Sequence, residues 1–342
     1  MKKYIKYIIF FLILLSITII TLFSIISDDT IIVLKELVNN IKLEYIFILL
    51  IIVSLYFILQ GIYMKVIFKS LGSEVSLLKG TFYAMVEFYF SGITPSSSGG
   101  QPVQLYFITK DKIPPTKSIV TLILNTLYFK IIIVLLGMIV IIFNNKYIFN
   151  HSSIYTIFFF IGLLCDCFMI TFWLALLFNK KIISKIINFL VRLLKKIPFI
   201  RKYIQKFDVN ELIDNYSSQS NYIKKYPKKV FYTFILTFIQ RLLLFSVAYF
   251  VYRGLGYNNI SYFELIAIQI TVQMTIEMFP IPGGALMSET MLRDAFTSIF
   301  GIGIAEVGML FTRAFVFYIP LIVCFIIIMI IVIKNREKYL NS

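Results

Sequence analysis

Ile276-Glu-Met-Phe-Pro-Ile-Pro-Gly-Gly-Ala-Leu-Met-Ser-Glu289 lies inside an apolar region and holds almost everything such a region should exclude. Pro280 and Pro282 each remove a backbone donor and restrict the residue before them, while Gly283 and Gly284 open conformations closed to other residues. The helix must break here. Lipid cannot satisfy the freed N–H and C=O groups, so a break at membrane depth has to be buried in protein or line a wet cavity. Glu277 and Glu289 bracket it with two carboxylates that hydrocarbon disfavours. A second break, Thr94-Pro95-Ser96-Ser97-Ser98-Gly99-Gly100-Gln101-Pro102, follows Glu87 in the first half. Two Pro/Gly-interrupted segments at corresponding places in two halves form the sequence pattern of a transporter-type binding site.

Around these breaks the chain is apolar enough to settle its class. With 59% hydrophobic and only 15% charged residues in 342, it reads as an all-α polytopic membrane protein. The formal charge of +16 would point a soluble protein toward nucleic acid. Here the basic residues gather between apolar spans, which favours anionic lipid headgroups and topology control, and no nucleic-acid partner is expected. Cys165, Cys167 and Cys324 all fall within apolar spans, which predicts core packing; neither a metal nor a cofactor is expected. The single histidine, His151, sits in a short polar loop and reads as solvated.

In chain order, Lys2, Lys3 and Lys6 precede an apolar run from about Tyr4 to Ile26, read as an uncleaved first span. Further spans follow at about Tyr45–Phe68, Ile119–Phe143, Ile154–Phe178, Val230–Tyr252 and Ala305–Ile333. The broken elements occupy about Leu78–Ile108 and Tyr262–Phe300. Basic residues flank both ends of the first, which makes it a re-entrant hairpin from the cytoplasm; the second then enters from outside. The prediction is six spans plus two re-entrant helical hairpins, with both termini cytoplasmic. Half 1 (about 45–143) and half 2 (about 230–333) are inverted-topology repeats within one membrane domain over 1–342. Between them, 179–229 carries thirteen Lys and Arg against Asp208, Glu211 and Asp214, so it is expected in the cytoplasm, with an amphipathic helix in its first part and Pro198 interrupting it.

Thr94-Pro95-Ser96 with Gly99-Gly100-Gln101-Pro102, then Pro282-Gly283-Gly284 with Glu289, then Arg313 with Pro320, resemble the flippase-like, lysylphosphatidylglycerol synthase transmembrane region family. The likeness covers most of the chain. Gln101 stands where many members carry Glu, and Leu286 where the second motif usually has another Gly. The resemblance implies a bacterial plasma membrane protein that flips a lipid outward. In that family the region occurs fused to a cytosolic aminoacyltransferase domain, alone, or beside glycosyltransferases. A separate lipid-synthesising enzyme is therefore an expected partner, and the oligomeric state is open.

Charges inside apolar spans sharpen the site. Glu87, Lys130, Asp166, Arg241, Glu277, Glu289, Arg293, Asp294, Glu306 and Arg313 lie in or beside such spans, where charges are costly and usually functional. Arg241 and Arg313 can either clamp a lipid phosphate or neutralise Glu277 and Glu289 as buried pairs. Lys130 and Asp166 have no assigned role, and Asp294 and Glu306 suit the external interface. Glycines at the breaks either expose backbone N–H groups to a phosphate or only let helices pack closely. The expected substrate-binding set is Glu87, Thr94, Pro95, Gly99, Gly100, Gln101, Pro102, Arg241, Glu277, Pro282, Gly283, Gly284, Glu289 and Arg313. The leading reading is a flippase or scramblase for a charged-headgroup lipid, aminoacylated phosphatidylglycerol or a polyprenyl phosphate; no P-loop is present. The alternative is phosphatidylglycerol lysyltransferase, against which stands a longest soluble segment of about 50 residues, short for a transferase domain.

Overall fold

The computed structural model describes Ser16 and residues 42–143, 153–195, 209–276, 284, 287–300, 304–335 and 338–339. Apart from Ser16, the expected span over Tyr4–Ile26 lies outside them, as do the part of the loop that holds His151, and Pro198. Every regular element among the described residues is helical: α1 (Leu43–Ser70), α2 (Leu77–Gly92), a 3₁₀ turn (Pro95–Ser97), α3 (Gly100–Lys110), α4 (Pro115–Phe143), α5 (Ser153–Phe178), α6 (Lys180–Lys195), α7 (Val209–Ser220), α8 (Tyr222–Lys225), α9 (Pro227–Gly254), α10 (Tyr262–Ile276), α11 (Met287–Phe300), α12 (Ile304–Arg313), a π-turn (Ala314–Tyr318) and α13 (Ile319–Lys334).

Among the described residues, five helices are long and apolar enough to cross a membrane: α1, α4, α5, α9 and the continuous run Ile304–Lys334 through α12, the π-turn and α13. Their sequences are apolar around most of the circumference, as helices meeting both lipid and protein must be. One side of each is buried. The lipid-ready side is studded with exposed residues such as Phe47 and Ile51 on α1, Leu164 and Phe168 on α5, and Ile326 and Ile330 on α13. Cys165 and Cys167 belong to that outward side and only Cys324 is buried, so the expected core packing holds for one cysteine of three. Asp166 between them turns inward, because consecutive helical residues point about 100° apart.

Two pairs of shorter helices sit among these five. Ser76 caps α2, its Oγ accepting from Lys79 N, and the helix ends just before Pro95, whose ring disfavours α conformation in the residue before it. The α3 helix then runs back along α2. Gln104 Nε2 donates to Tyr83 O at 3.1 Å, and the Phe82 and Phe107 rings meet edge-on at 5.4 Å, so the limbs are antiparallel. At 16 and 11 residues, α2 and α3 rise only about 24 and 16 Å, short of a ~30 Å hydrocarbon core. In the second half α10 and α11, of 15 and 14 residues, contact each other across the Pro/Gly break.

The basic segment between the halves contributes α6, whose Ile183 is buried and whose Ile182, Ile186 and Ile187 pack on the core, while Lys181, Lys185 and Arg192 are exposed. That division is the amphipathic pattern expected from its spacing.

Candidate functional site

The first break is held by Thr94. Its hydroxyl donates to Phe90 O at 2.6 Å and accepts from Gly99 N at 2.8 Å, which folds the chain back on itself. Ser96 and Ser97 take left-handed conformations, φ 50° and 54°, a cost of roughly 1–2 kcal/mol each for a residue bearing a Cβ. Gly99 and Gly100 are needed for space: both avoid positive φ. A Cβ on Gly100 would come within 1.9 Å of Ser91 Oγ and 2.8 Å of Glu87 O, and one on Gly99 within 2.6 Å of Thr94 Cγ2. The glycine pair therefore lets α3 start against α2. Gly284, by contrast, has φ +63°, a conformation suited to glycine.

Where the two broken pairs converge there is a cavity of about 480 Å³. Its wall takes Tyr56 from α1, Glu87 and Ser91 from α2, Ser96 and Ser97 from the turn, and Gln101 from α3. Across from them stand Asn125, Phe129 and Lys130 of α4, Arg241 of α9, Gln273 of α10, Gly284, and Arg313 of α12. Among the described residues, three cations and one carboxylate thus face a single space within an apolar helical protein.

The three cations are held differently. Lys130 Nζ is 2.6 Å from Asp166 Oδ1, so the two charges without an assigned role form a pair. Arg313 Nε donates to Glu289 Oε1 at 2.9 Å; Glu289 is fully buried and Arg313 nearly so. The same oxygen accepts the Tyr318 hydroxyl at 2.6 Å, and Oε2 accepts from Ser288 Oγ at 3.1 Å. In an α-helix side chains five apart point about 140° away from each other. The π-turn over Ala314–Tyr318, whose bonds close on the fifth residue, brings Arg313 and Tyr318 to one side.

Arg241 has no carboxylate within ion-pair distance among the described residues. Its Nη1 donates to Tyr56 Oη at 3.3 Å, the guanidinium lies 4.3 Å from the Phe129 ring centroid and 5.6 Å from that of Tyr56, and Nε is buried without a partner. Aromatic faces hold a guanidinium in place while leaving its charge uncancelled. Among the described residues Glu87, on α2, accepts only a long 3.5 Å contact from Ser91 Oγ. The described wall of the cavity therefore presents a guanidinium with no carboxylate within ion-pair distance and a carboxylate held only by a serine.

Of the substrate-binding set read from the sequence, Glu87, Gln101, Arg241, Gly284 and Arg313 line the cavity. Gln101 also reaches the Thr126 hydroxyl through its Nε2. Thr94, Gly99 and Gly100 shape the turn behind the wall, Glu289 stands behind Arg313, and Pro95 and Pro102 face away, exposed. Glu277, Pro282 and Gly283 lie outside the described residues. Tyr56, Asn125, Phe129 and Gln273 line the cavity without having been singled out; none differs locally from an ordinary residue of an apolar span. Lys130 was visible as an intramembrane charge.

Asp294 accepts from the Tyr155 hydroxyl at 2.8 Å and lies beside Arg293, while Glu306, in the first turn of α12, is buried. Among the described residues no cluster of three His, Cys, Asp or Glu side chains is placed to hold a metal ion. A family model described as the lysylphosphatidylglycerol synthase TM region matches residues 8–324. No curated protein and no solved structure matches the chain.

Proposed function

Because the chain belongs to the lysylphosphatidylglycerol synthase TM region family, we propose that it is a membrane protein of lysylphosphatidylglycerol handling that carries a charged lipid headgroup across the bilayer through the central cavity. The observation that supports this most is Arg241, a cavity-lining guanidinium held by rings, with no carboxylate within ion-pair distance among the described residues. A guanidinium in that state suits a phosphodiester, which it can bind through two donors. Glu87 on the same wall suits an ammonium, so a headgroup bearing both charges is matched at both ends. The lipid tails would stay in the bilayer while the headgroup passes.

In this reading α2–α3 and α10–α11 are re-entrant hairpins entering from opposite faces, and the two halves are inverted repeats. The short limbs and the Thr94-centred turn support that reading. Basic residues on α6 and beyond α13 favour the cytoplasm for both by the positive-inside rule, in a bacterial plasma membrane. Arg313, paired with Glu289 and also on the wall, is suited to alternate between its internal partner and the passing phosphate.

The test uses protein in liposomes with short-chain fluorescent lysylphosphatidylglycerol or phosphatidylglycerol in both leaflets, and dithionite added outside. Protein-dependent loss of the inner-leaflet signal, reduced in Arg241→Ala, is the expected result. No exchange with folded wild-type protein, together with lysyl transfer once lysyl-tRNA and phosphatidylglycerol are supplied, would replace this function with the transferase.

A further inference from the structure

Lys338 and Tyr339, beyond the end of α13, bind back onto the α2–α3 pair. Tyr339 is only 5% exposed, with its ring 5.1 Å from that of Phe107 on α3 and 6.4 Å from that of Phe82 on α2. Its carbonyl accepts from the Tyr106 hydroxyl at 2.6 Å, and its own hydroxyl donates to Asp111 Oδ1 at 3.3 Å. Asp111 follows the last residue of α3. Its carboxylate also takes the Tyr83 hydroxyl, Lys79 Nζ at 3.4 Å and Lys338, and its side chain is 2% exposed. One buried carboxylate thus ties together both limbs of the pair and the C-terminal tail.

The other end of α13 is also pinned. Tyr318 immediately precedes it and bonds Glu289 of α11 in the second broken pair. The helix between has 16 residues, a rod of about 24 Å. It packs closely on α2 over Gly92, where a Cβ would come within 2.7 Å of Leu321 Cδ1 and 3.2 Å of Phe317 Cε2. A rigid helix fastened at one end to the first broken pair and at the other to the second is a physical link between them. Such a link becomes coupling only if both ends respond together.

We propose that Lys338 and Tyr339 form a latch that closes the Asp111 end of the α2–α3 pair, and that α13 transmits the state of this latch to the Glu289–Tyr318 cluster on α11. The latch stands whether or not the protein moves a lipid, because it is read from opening and not from transport. With the latch seated, Phe82 and Phe107 are covered and the pair is held shut. Releasing it frees the pair at this end and allows α13 to shift at the π-turn.

Hydrogen exchange of the protein in nanodiscs, resolved by mass spectrometry, reports such opening segment by segment. Tyr339→Ala and Asp111→Asn are each expected to speed exchange of α3 amides by about tenfold, and of α11 amides by several-fold. In the reverse direction, Tyr318→Phe is expected to speed exchange in α3, with α9 unchanged throughout. Unchanged α3 exchange in Tyr339→Ala would overturn the latch, and faster α3 with unaltered α11 would overturn the transmission. If Tyr339→Ala loosens α9 as well, Tyr339→Phe, which keeps the ring and loses one hydrogen bond, decides the matter: a smaller rise in α3 supports the latch and no rise refutes it.

Discussion

The Tyr318 hydroxyl and the Arg313 Nε converge on one oxygen of Glu289, at 2.6 and 2.9 Å, although they stand five residues apart on the same helical run. Both the carboxylate and the guanidinium are out of water. Removing one partner of such a pair strands the other charge, at a cost of about 3–5 kcal/mol. Glu289→Gln is therefore expected to cost about 3–5 kcal/mol of stability, and Tyr318→Phe about 1.5–3 kcal/mol, both read as a lowered thermal unfolding midpoint in detergent. A Glu289→Met/Arg313→Met double variant should be more stable than either single change, since it leaves no orphan charge. Equal losses from single and double variants would disprove the pairing.

Arg241→Ala is expected to slow headgroup exchange at least tenfold, in keeping with the roughly 1.5–3 kcal/mol attached to a hydrogen bond with a charged group. Arg241→Lys should recover part of it, because the charge remains while the planar fork and its ring stacking are lost. Leaflet-exchange rates under identical lipid composition read this directly. Midpoints close to wild type in both variants would show that the loss is functional, as expected for a cation with no carboxylate within ion-pair distance among the described residues.

Gly162→Ala should destabilise more than Gly100→Ala relieved by a second change. At Gly162 the added Cβ would lie 2.3 Å from the backbone O of Met274, which cannot move without shifting α10. At Gly100 the closest atom is the Ser91 hydroxyl, removable by Ser91→Ala, leaving Glu87 O at 2.8 Å. Overpacking of this kind costs about 1–3 kcal/mol. Urea or thermal midpoints of Gly162→Ala, Gly100→Ala and Gly100→Ala/Ser91→Ala give the order, with the double variant expected between wild type and Gly100→Ala.

The tail cluster has a definite pH response. Burial pushes the Asp111 carboxyl up, but hydrogen bonds from Lys338 and Tyr83 and the charge of Lys79 outweigh it, so its pKa is held below the usual carboxylate range. Its contribution is present above the ordinary value near 4 and lost as pH falls through the lowered one. Burial, with Asp111 alongside, raises the Tyr339 hydroxyl to about 12. That contribution is complete below the ordinary value near 10 and lost as pH rises toward 12. Protection of α3 amides, corrected for intrinsic exchange, should stay flat from about pH 5 to 9, and Asp111→Asn should abolish the acid limb. A steep change near neutrality would rule out this cluster as its source.

Hydropathy, which is local, was enough to place five described spans within a few residues of their observed ends, from Leu43–Ser70 to Ile304–Lys334. The break at Pro95 and the left-handed Gly284 were equally legible, because proline and glycine act on their own backbone; Pro280, Pro282 and Gly283 lie outside the described residues. Charges within apolar segments, such as Glu87, Arg241 and Arg313, stood out for the same reason: each is costly wherever it lies in a membrane. What each charge meets was decided only in three dimensions. Glu289 and Arg313 are 24 residues apart and Lys130 and Asp166 36, and no spacing rule selects those partners over Arg241. Tertiary packing also made Gly99 and Gly100 spacers, turned Cys165 and Cys167 outward, and used a π-turn to aim Tyr318 at Glu289. Apolar content and chain breaks are properties of a segment, whereas pairing and close approach belong to surfaces that exist only after helices distant in sequence have packed.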